Sequence, residues 1–151
     1  MTSCHIQHTN LKLEQNLTCN KASLNELCYI NLDNDIILNY DYFRYIANSN
    51  TYHIIIQHII DTFENCLSKQ QTLTIHLYTK SLTLTELDKH LQFIKFFAET
   101  LKTRFPDKLE KCFVYDVSFV FYQCYSIISN FLDKKTQQKI QLIKQKTRNS
   151  F

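Results

Sequence analysis

Apolar and polar positions along this chain follow two different periods, and the switches between them divide it into elements. Residues 1–25 are polar and weakly patterned and read as a lead-in to a domain over residues 26–146, with a short tail at 147–151. Leu27 to Leu32 (LCYINL) reads as a strand, Asp33-Asn34-Asp35 as a turn and Ile36-Ile37-Leu38 as a second strand, together a hairpin. From Tyr52 to Leu67 the period becomes helical. Tyr52, Ile55, Ile56, Ile59, Phe63 and Leu67 form one stripe, with Asp61 and Glu64 opposite.

Thr72 to Tyr78 alternates with period two, as a half-buried strand does. Leu84 to Phe105 predicts a long helix, because Leu87, Leu91, Ile94, Ala98, Leu101 and Phe105 recur at steps of three and four. Thr83 or Thr85 supplies its N-cap, and Pro106 ends it. Cys112 to Tyr115 is a short buried strand, followed by helices over Phe119–Phe131 and Lys134–Lys146. Helical stretches that link apolar strands predict an α/β layer with an at least partly parallel sheet.

Composition removes several classes of chemistry. The 151 residues include no glycine, so glycine-rich phosphate loops, dinucleotide fingerprints and nucleophile elbows are absent. Tight turns must then use Asn and Asp, the non-glycine residues that best tolerate a left-handed backbone. The longest uncharged run, Val117 to Leu132, is sixteen residues, short of the ~20 that cross a bilayer. Met1 to His8 lacks the basic start and apolar block of a secretory signal, and the six cysteines show no CxxC spacing. Both point to reduced thiols in a cytoplasmic protein. Few Gly, Ala and Pro beside many Lys, Asn and Ile also suggest an A/T-rich genome, as in some large viruses or protozoa.

The second half of the chain resembles a known family. Arg104-Phe105-Pro106-Asp107-Lys108-Leu109 is similar to the "(Y/F)-P-E-(R/K)-L" step of the CRAL-TRIO, or Sec14-like, lipid-binding domain. Cys112 to Leu132 runs without a gap against that family's "yiiNaPflF…w.liKPfL". Asp133-Lys134-Lys135-Thr136-Gln137-Gln138-Lys139-Ile140 resembles its "D-x-x-T-x-x-K-I" signature, and Thr74 to Ser81 stands where "xIDxxGxS" is usual. There are departures. His76 replaces the Asp and Thr79 the Gly, while Asp116-Val117-Ser118 replaces Asn-Ala-Pro. The family's N-terminal helical tripod and its pocket-closing segment have no counterpart in the pattern.

The resemblance implies a partly parallel sheet covered by helices, with an apolar pocket under a gate-like helix. The pocket residues expected by position are Ile75, Leu77, Val114 and Asp116 on strands, and Phe121, Tyr122, Tyr125 and Ile128 on that helix. The helix is apolar nearly all round, so it is either buried or in contact with lipid. The expected ligand is a phospholipid or another hydrophobic small molecule, bound, transferred or sensed without a cofactor. Lys134, Lys135, Lys139 and Lys144 follow directly and suit peripheral contact with an anionic membrane. Two readings stay open: such a lipid binder, or a protein-interaction module with a filled pocket, self-associating through exposed apolar surface.

Other chemistry finds little support. The basic stretch has few interleaved aromatics and the whole chain is only +3, which disfavours nucleic acid. No Ser-His-Asp, HExxH or paired-carboxylate motif occurs, so no enzyme is indicated. Cys4, His5, His8 and Cys19 fit no standard zinc spacing. His53 and His58 are five apart on one helix rather than four, and His76 reads as a hydrogen-bonded structural histidine.

Overall fold

The computed structural model describes residues 21–144. A helix over residues 21–27 (α1) leads into β1 (Cys28–Ile30), and a turn returns the chain as β2 (Ile36–Asn39). Helices α2 (Tyr40–Ile46) and α3 (Tyr52–Leu67) lead to β3 (Leu73–Tyr78), and α4 (Leu84–Lys89) and α5 (Leu91–Arg104) lead to β4 (Leu109–Val117). Helix α6 (Phe119–Ile128), a 3-10 turn at Ser129–Phe131 and α7 (Lys134–Gln138) then lead to β5 (Ile140–Lys144). The sheet runs β1-β2-β3-β4-β5, antiparallel in the first pair and parallel in the rest. Residues 1–20 of the predicted lead-in over 1–25, with Cys4, His5, His8 and Cys19, and the tail over 147–151 lie outside the described residues.

All three parallel crossovers step the same way across the sheet. Because such crossovers are right-handed in nearly every protein, their helices land on one face. The register shows which face it is. Ile36, Ile75, Cys112 and Ile140 form one row across four strands, and Leu38, Leu77, Val114 and Leu142 form the next. Ile55, Ile59 and Phe63 of α3 and Phe93 of α5 pack in one buried cluster with Ile36 and Ile75. Phe121 of α6 packs in a second with Val114 and Val117. Each such side chain contributes about 1.5–3 kcal/mol by leaving water.

On the opposite face His76 lies alongside both Phe113 and Tyr115, with ring centroids 5.3 and 5.6 Å away. Its Nδ1 lies 2.6 Å from the Tyr115 hydroxyl and its Nε2 2.9 Å from the Asp35 carboxylate. It is the hydrogen-bonded strand histidine expected from the sequence.

The glycine-free chain bends on Asn and Asp. Among the described residues the positive-φ positions are Asn34 (61°), Asp107 (59°) and Asp116 (58°). Asn34 lies in the hairpin turn, where the Asn31 side chain accepts from the backbone N–H groups of Asp33 and Asp35. Phe105-Pro106-Asp107-Lys108 has the type II pattern, with proline second, positive φ third and the Lys108 N–H donating to the Phe105 carbonyl at 3.2 Å. Asp116 sits where the β4–β5 register shifts between Val114 and Val117, a bulge just before α6.

Four elements differ from the sequence reading. Residues 21–25, expected to be an unpatterned lead-in, belong to α1, which also takes Leu27 from the predicted strand. The predicted Leu84–Phe105 helix breaks at His90, whose φ of −107° and ψ of 15° end α4 and start α5. His90 is only 2% exposed, and its Nδ1 lies 2.6 Å from the Tyr52 hydroxyl of α3. Holding the imidazole there diverts the backbone. The predicted Lys134–Lys146 helix is also corrected: α7 ends at Gln138, and Ile140–Lys144 is a strand. Ile140 and Leu142 alternate onto the apolar face, and the Cys112 N–H donates to the Lys139 carbonyl at 2.9 Å. Helix α2 was not predicted at all. Asn39 caps it, its side chain accepting from the Asp41 N–H.

Two outcomes follow from these contacts. Asn34→Ala should cost about 1 kcal/mol in urea unfolding, since a Cβ without a compensating polar group is disfavoured at positive φ, whereas Asn34→Gly should be near neutral. Equal effects of the two would show that conformation is not the cause. His90 gives a pH signature. Its Nε2 faces the Glu86 carboxylate at 3.4 Å, which suits an N–H there and an Nδ1 accepting from Tyr52. Burial, outweighing the attraction of Glu86, holds this histidine below its ordinary pKa of 6.5. The unfolded chain therefore protonates first as pH falls. The stabilisation is complete above about 6.5 and is lost below it. Unfolding midpoints at pH 7.5 and 5.0 should differ less in His90→Gln than in the parent; an undiminished difference would remove His90 from that role.

Candidate functional site

Where α5 ends and α7 begins, the helices do not close over the sheet. The Pro106–Asp107 turn stops α5, and the 3-10 turn at Ser129–Phe131 stops α6, so a cleft of about 340 Å³ remains between them. Its floor is Phe63 of α3 with Leu73, Ile75 and Leu109 of the sheet. Ala98, Leu101 and Phe105 form one wall, and Phe131 and Leu132 the other. The rim is charged: Lys102, Asp107, Asp133, Lys135 and Lys139.

Short-range polar contacts hold the rim. The Gln137 amide donates to the carbonyls of Ser129 and Leu132, both at 2.9 Å, fixing the chain between the 3-10 turn and α7. Asp133 caps α7 by accepting from the Thr136 N–H at 2.7 Å. The Lys135 ammonium donates to the Asp107 carboxylate at 2.6 Å, and that of Lys139 donates to the Leu109 carbonyl at 2.5 Å. The hydrogen bond from Lys135 holds Asp107 below the usual carboxylate range, and the Thr136 N–H does the same for Asp133. Both carboxyls are thus ionised at neutral pH and already engaged. Among the described residues Lys102 forms no ion pair. Apolar walls under a mixed, net-positive rim can take a greasy molecule with a polar end.

The structure does not bring the eight pocket residues expected from the sequence together in one cavity. Ile75 lines the cleft floor. Val114 and Phe121 are buried in the second cluster, with Leu77 and Tyr125 packed against it. Phe121 and Tyr125 stack at 6.2 Å and fill the space between α6 and the sheet. Burial pushes the Tyr125 hydroxyl above its ordinary pKa. Asp116 is at the bulge, Ile128 is half-buried at the end of α6, and Tyr122 faces outward with the Lys144 ammonium 6.0 Å from its ring. Of the four lysines, Lys135 and Lys139 line the cleft, Lys134 is exposed on α7, and Lys144 is on a strand. They do not share a helix.

The cleft residues that sequence reasoning missed are mainly Phe63, Leu101, Phe105 and Leu132, with Lys102, Asp107 and Asp133 at the rim. Both motifs that frame the cleft, at Pro106 and from Asp133 onward, were visible in the sequence. Nothing in the linear pattern shows that they meet. Among the described residues no group of three or more His, Cys, Asp or Glu side chains could hold a metal, and no helix is long and apolar enough to cross a membrane.

With this architecture in place, comparison with known proteins is decisive on one point. The signature of the CRAL/TRIO domain matches residues 33–151, well over half of the chain. The protein belongs to the CRAL/TRIO family. The family binds lipophilic small molecules. No curated protein matches the sequence. Among solved structures this CRAL/TRIO chain is similar to the one described as "Crystal structure of Sfh5", with a TM-score of 0.63 and 15% identity. The alignment covers 78% of this chain but 46% of that one, so the chain spans less than half of that neighbour's length. At that identity the likeness shows the fold alone: a mixed sheet with helices, as the sequence predicted.

Packing under α6 is directly measurable. Phe121→Ala should cost about 3–5 kcal/mol, as for a large buried aromatic. Phe119→Ala, at a position 79% exposed, should stay within about 0.5 kcal/mol of the parent. Similar losses at the two positions in chemical denaturation would mean that α6 is not seated as described.

Proposed function

We propose that this CRAL/TRIO protein binds a hydrophobic small molecule of the lipid class in the cleft between α5 and α7, and carries or senses it at a membrane surface. The observation that carries this reading is the 340 Å³ volume with an apolar floor, which falls at the lower end of the roughly 300–1,000 Å³ common for ligand sites. Each methylene transferred from water to such walls contributes about 0.8 kcal/mol. Family membership supports the same class of ligand. Helix α6 supports access to a bilayer: Phe119, Tyr122 and Ile127 are its exposed large hydrophobic residues, and no charge interrupts it. Lys134 and Lys144, both exposed, suit an anionic surface nearby.

A second reading has one observation in its favour. Phe121 and Tyr125 fill the space beneath α6, as a protein-interaction module with a closed core would have it. The exposed apolar side of α6 would then meet a protein or a second copy. The two readings separate in one experiment. Native mass spectrometry of the purified chain, after incubation with phospholipid vesicles, should show a lipid adduct. Ala98→Phe, which adds bulk to the cleft wall, should reduce it several-fold, and Phe119→Ala should leave the preloaded adduct intact. A chain that stays free of any adduct, and whose organic extract contains no lipid, would reject the cleft as a ligand site and favour the interaction module.

A further inference from the structure

The two walls of the cleft are held in place by different forces. The α5 wall is anchored by Phe93 in the first buried cluster, and α6 beside it by Phe121 and Cys124. The other wall belongs to the segment Ser129–Lys139, in which no residue is buried. We propose that this segment is a flap that admits and releases the hydrophobic ligand, closed against α5 by charge, while α6 stays seated. The proposal rests on the cleft being the ligand site.

The flap is stiff within itself. The Gln137 amide binds back to the carbonyls of Ser129 and Leu132, and Asp133 caps α7. It therefore moves as one body between two fixed ends, α6 on one side and the Ile140–Cys112 pairing of the sheet on the other.

Three charged links run from α5 and its terminal turn to the flap. The Lys95 ammonium lies 5.3 Å from the centre of the Phe131 ring. Lys102 adds to the Thr136 N–H in holding the Asp133 carboxyl low, so the two charges face each other across the mouth. Lys135 donates to Asp107, whose carboxyl is drawn down by that bond first and by nearby Lys139 after it. Lys102 and Asp107 on one side are thus opposite in sign to Asp133 and Lys135 on the other. Both partners of the Lys135–Asp107 pair are more than half exposed, so water and salt weaken the link. Segments with few buried contacts open first. Lifting α6 would instead uncover Phe121, Val114 and Val117 together.

Stopped-flow fluorescence of the full chain with N-phenyl-1-naphthylamine, a neutral apolar dye, tests this, with methyl-β-cyclodextrin as the sink for exit. Asp107→Asn removes the charge and keeps a side chain that tolerates positive φ, and Lys135→Gln removes its partner. Each should speed entry and exit together by about two- to five-fold and leave the dissociation constant unchanged. The double variant should be little faster than either single one. Raising salt from about 0.01 M to about 1 M should speed the parent far more than the variants. Glu64→Gln, which breaks the exposed Arg104–Glu64 pair of α5 away from the flap, should change neither rate. Unchanged rates in both charge variants, additive effects in the double variant or an equal effect of Glu64→Gln overturns the proposal while the hydrophobic-ligand function stands. So does a loss of affinity with entry unaltered, the mark of a direct ligand contact. If the dye does not bind, or binds equally well to Ala98→Phe, the cleft is not its site and the flap falls with that reading.

Discussion

Four parallel strands present the same face to the same side through the rows Ile36–Ile75–Cys112–Ile140 and Leu38–Leu77–Val114–Leu142. Every helical segment has to find its place on that apolar surface, because the right-handed crossovers all deliver their helices there. Helix α3 seats deeply along the first strands and α6 along the later ones. Space between them is left to α5, the 3-10 turn and α7. The cleft exists because α5 stops at the Pro106 turn, while the 3-10 turn and α7 are short and held by polar contacts of Asp133 and Gln137 instead of by large buried side chains. Its position is thus a consequence of crossover handedness and element length more than of any single lining residue.

The division between a packed sector and an open one gives the molecule its functional character. Under α6 the sheet is sealed by Phe121 and Tyr125, and a hydrophobic guest there would have to displace them. Beside it, Leu101, Phe105, Phe131 and Leu132 face each other across unfilled volume. Membership of the CRAL/TRIO family fixes the fold.

Much of the fold was legible because its strands and its longest helix carry unmixed periodicity. Tyr52–Leu67 has a stripe that only a helix can bury, and Thr72–Tyr78 has an alternation that only a strand can use. The failures have physical causes. At Lys134–Lys146 a charge-rich sequence looked helical, but two isolated apolar residues, Ile140 and Leu142, were enough for strand pairing once β4 offered an edge. At His90 a polar side chain seeking Tyr52 overrode an otherwise continuous helical pattern. Helix α2 is rich in tyrosine and gave no period to read. The cleft itself was least legible. Its walls join residues from Phe63 to Lys139, and only Ile75 was named from strand position.

A protein that reverses direction without glycine differs from most in what its bends display. Bare backbone gives way at each of the three left-handed positions to an amide or a carboxylate. At Asp107 that carboxylate fastens the first residues of α7 to the end of α5, so the hinge point of the chain is also a latch on the mouth of the cleft. Exchanging it for the conformationally ideal residue would ease the bend and undo the latch at once.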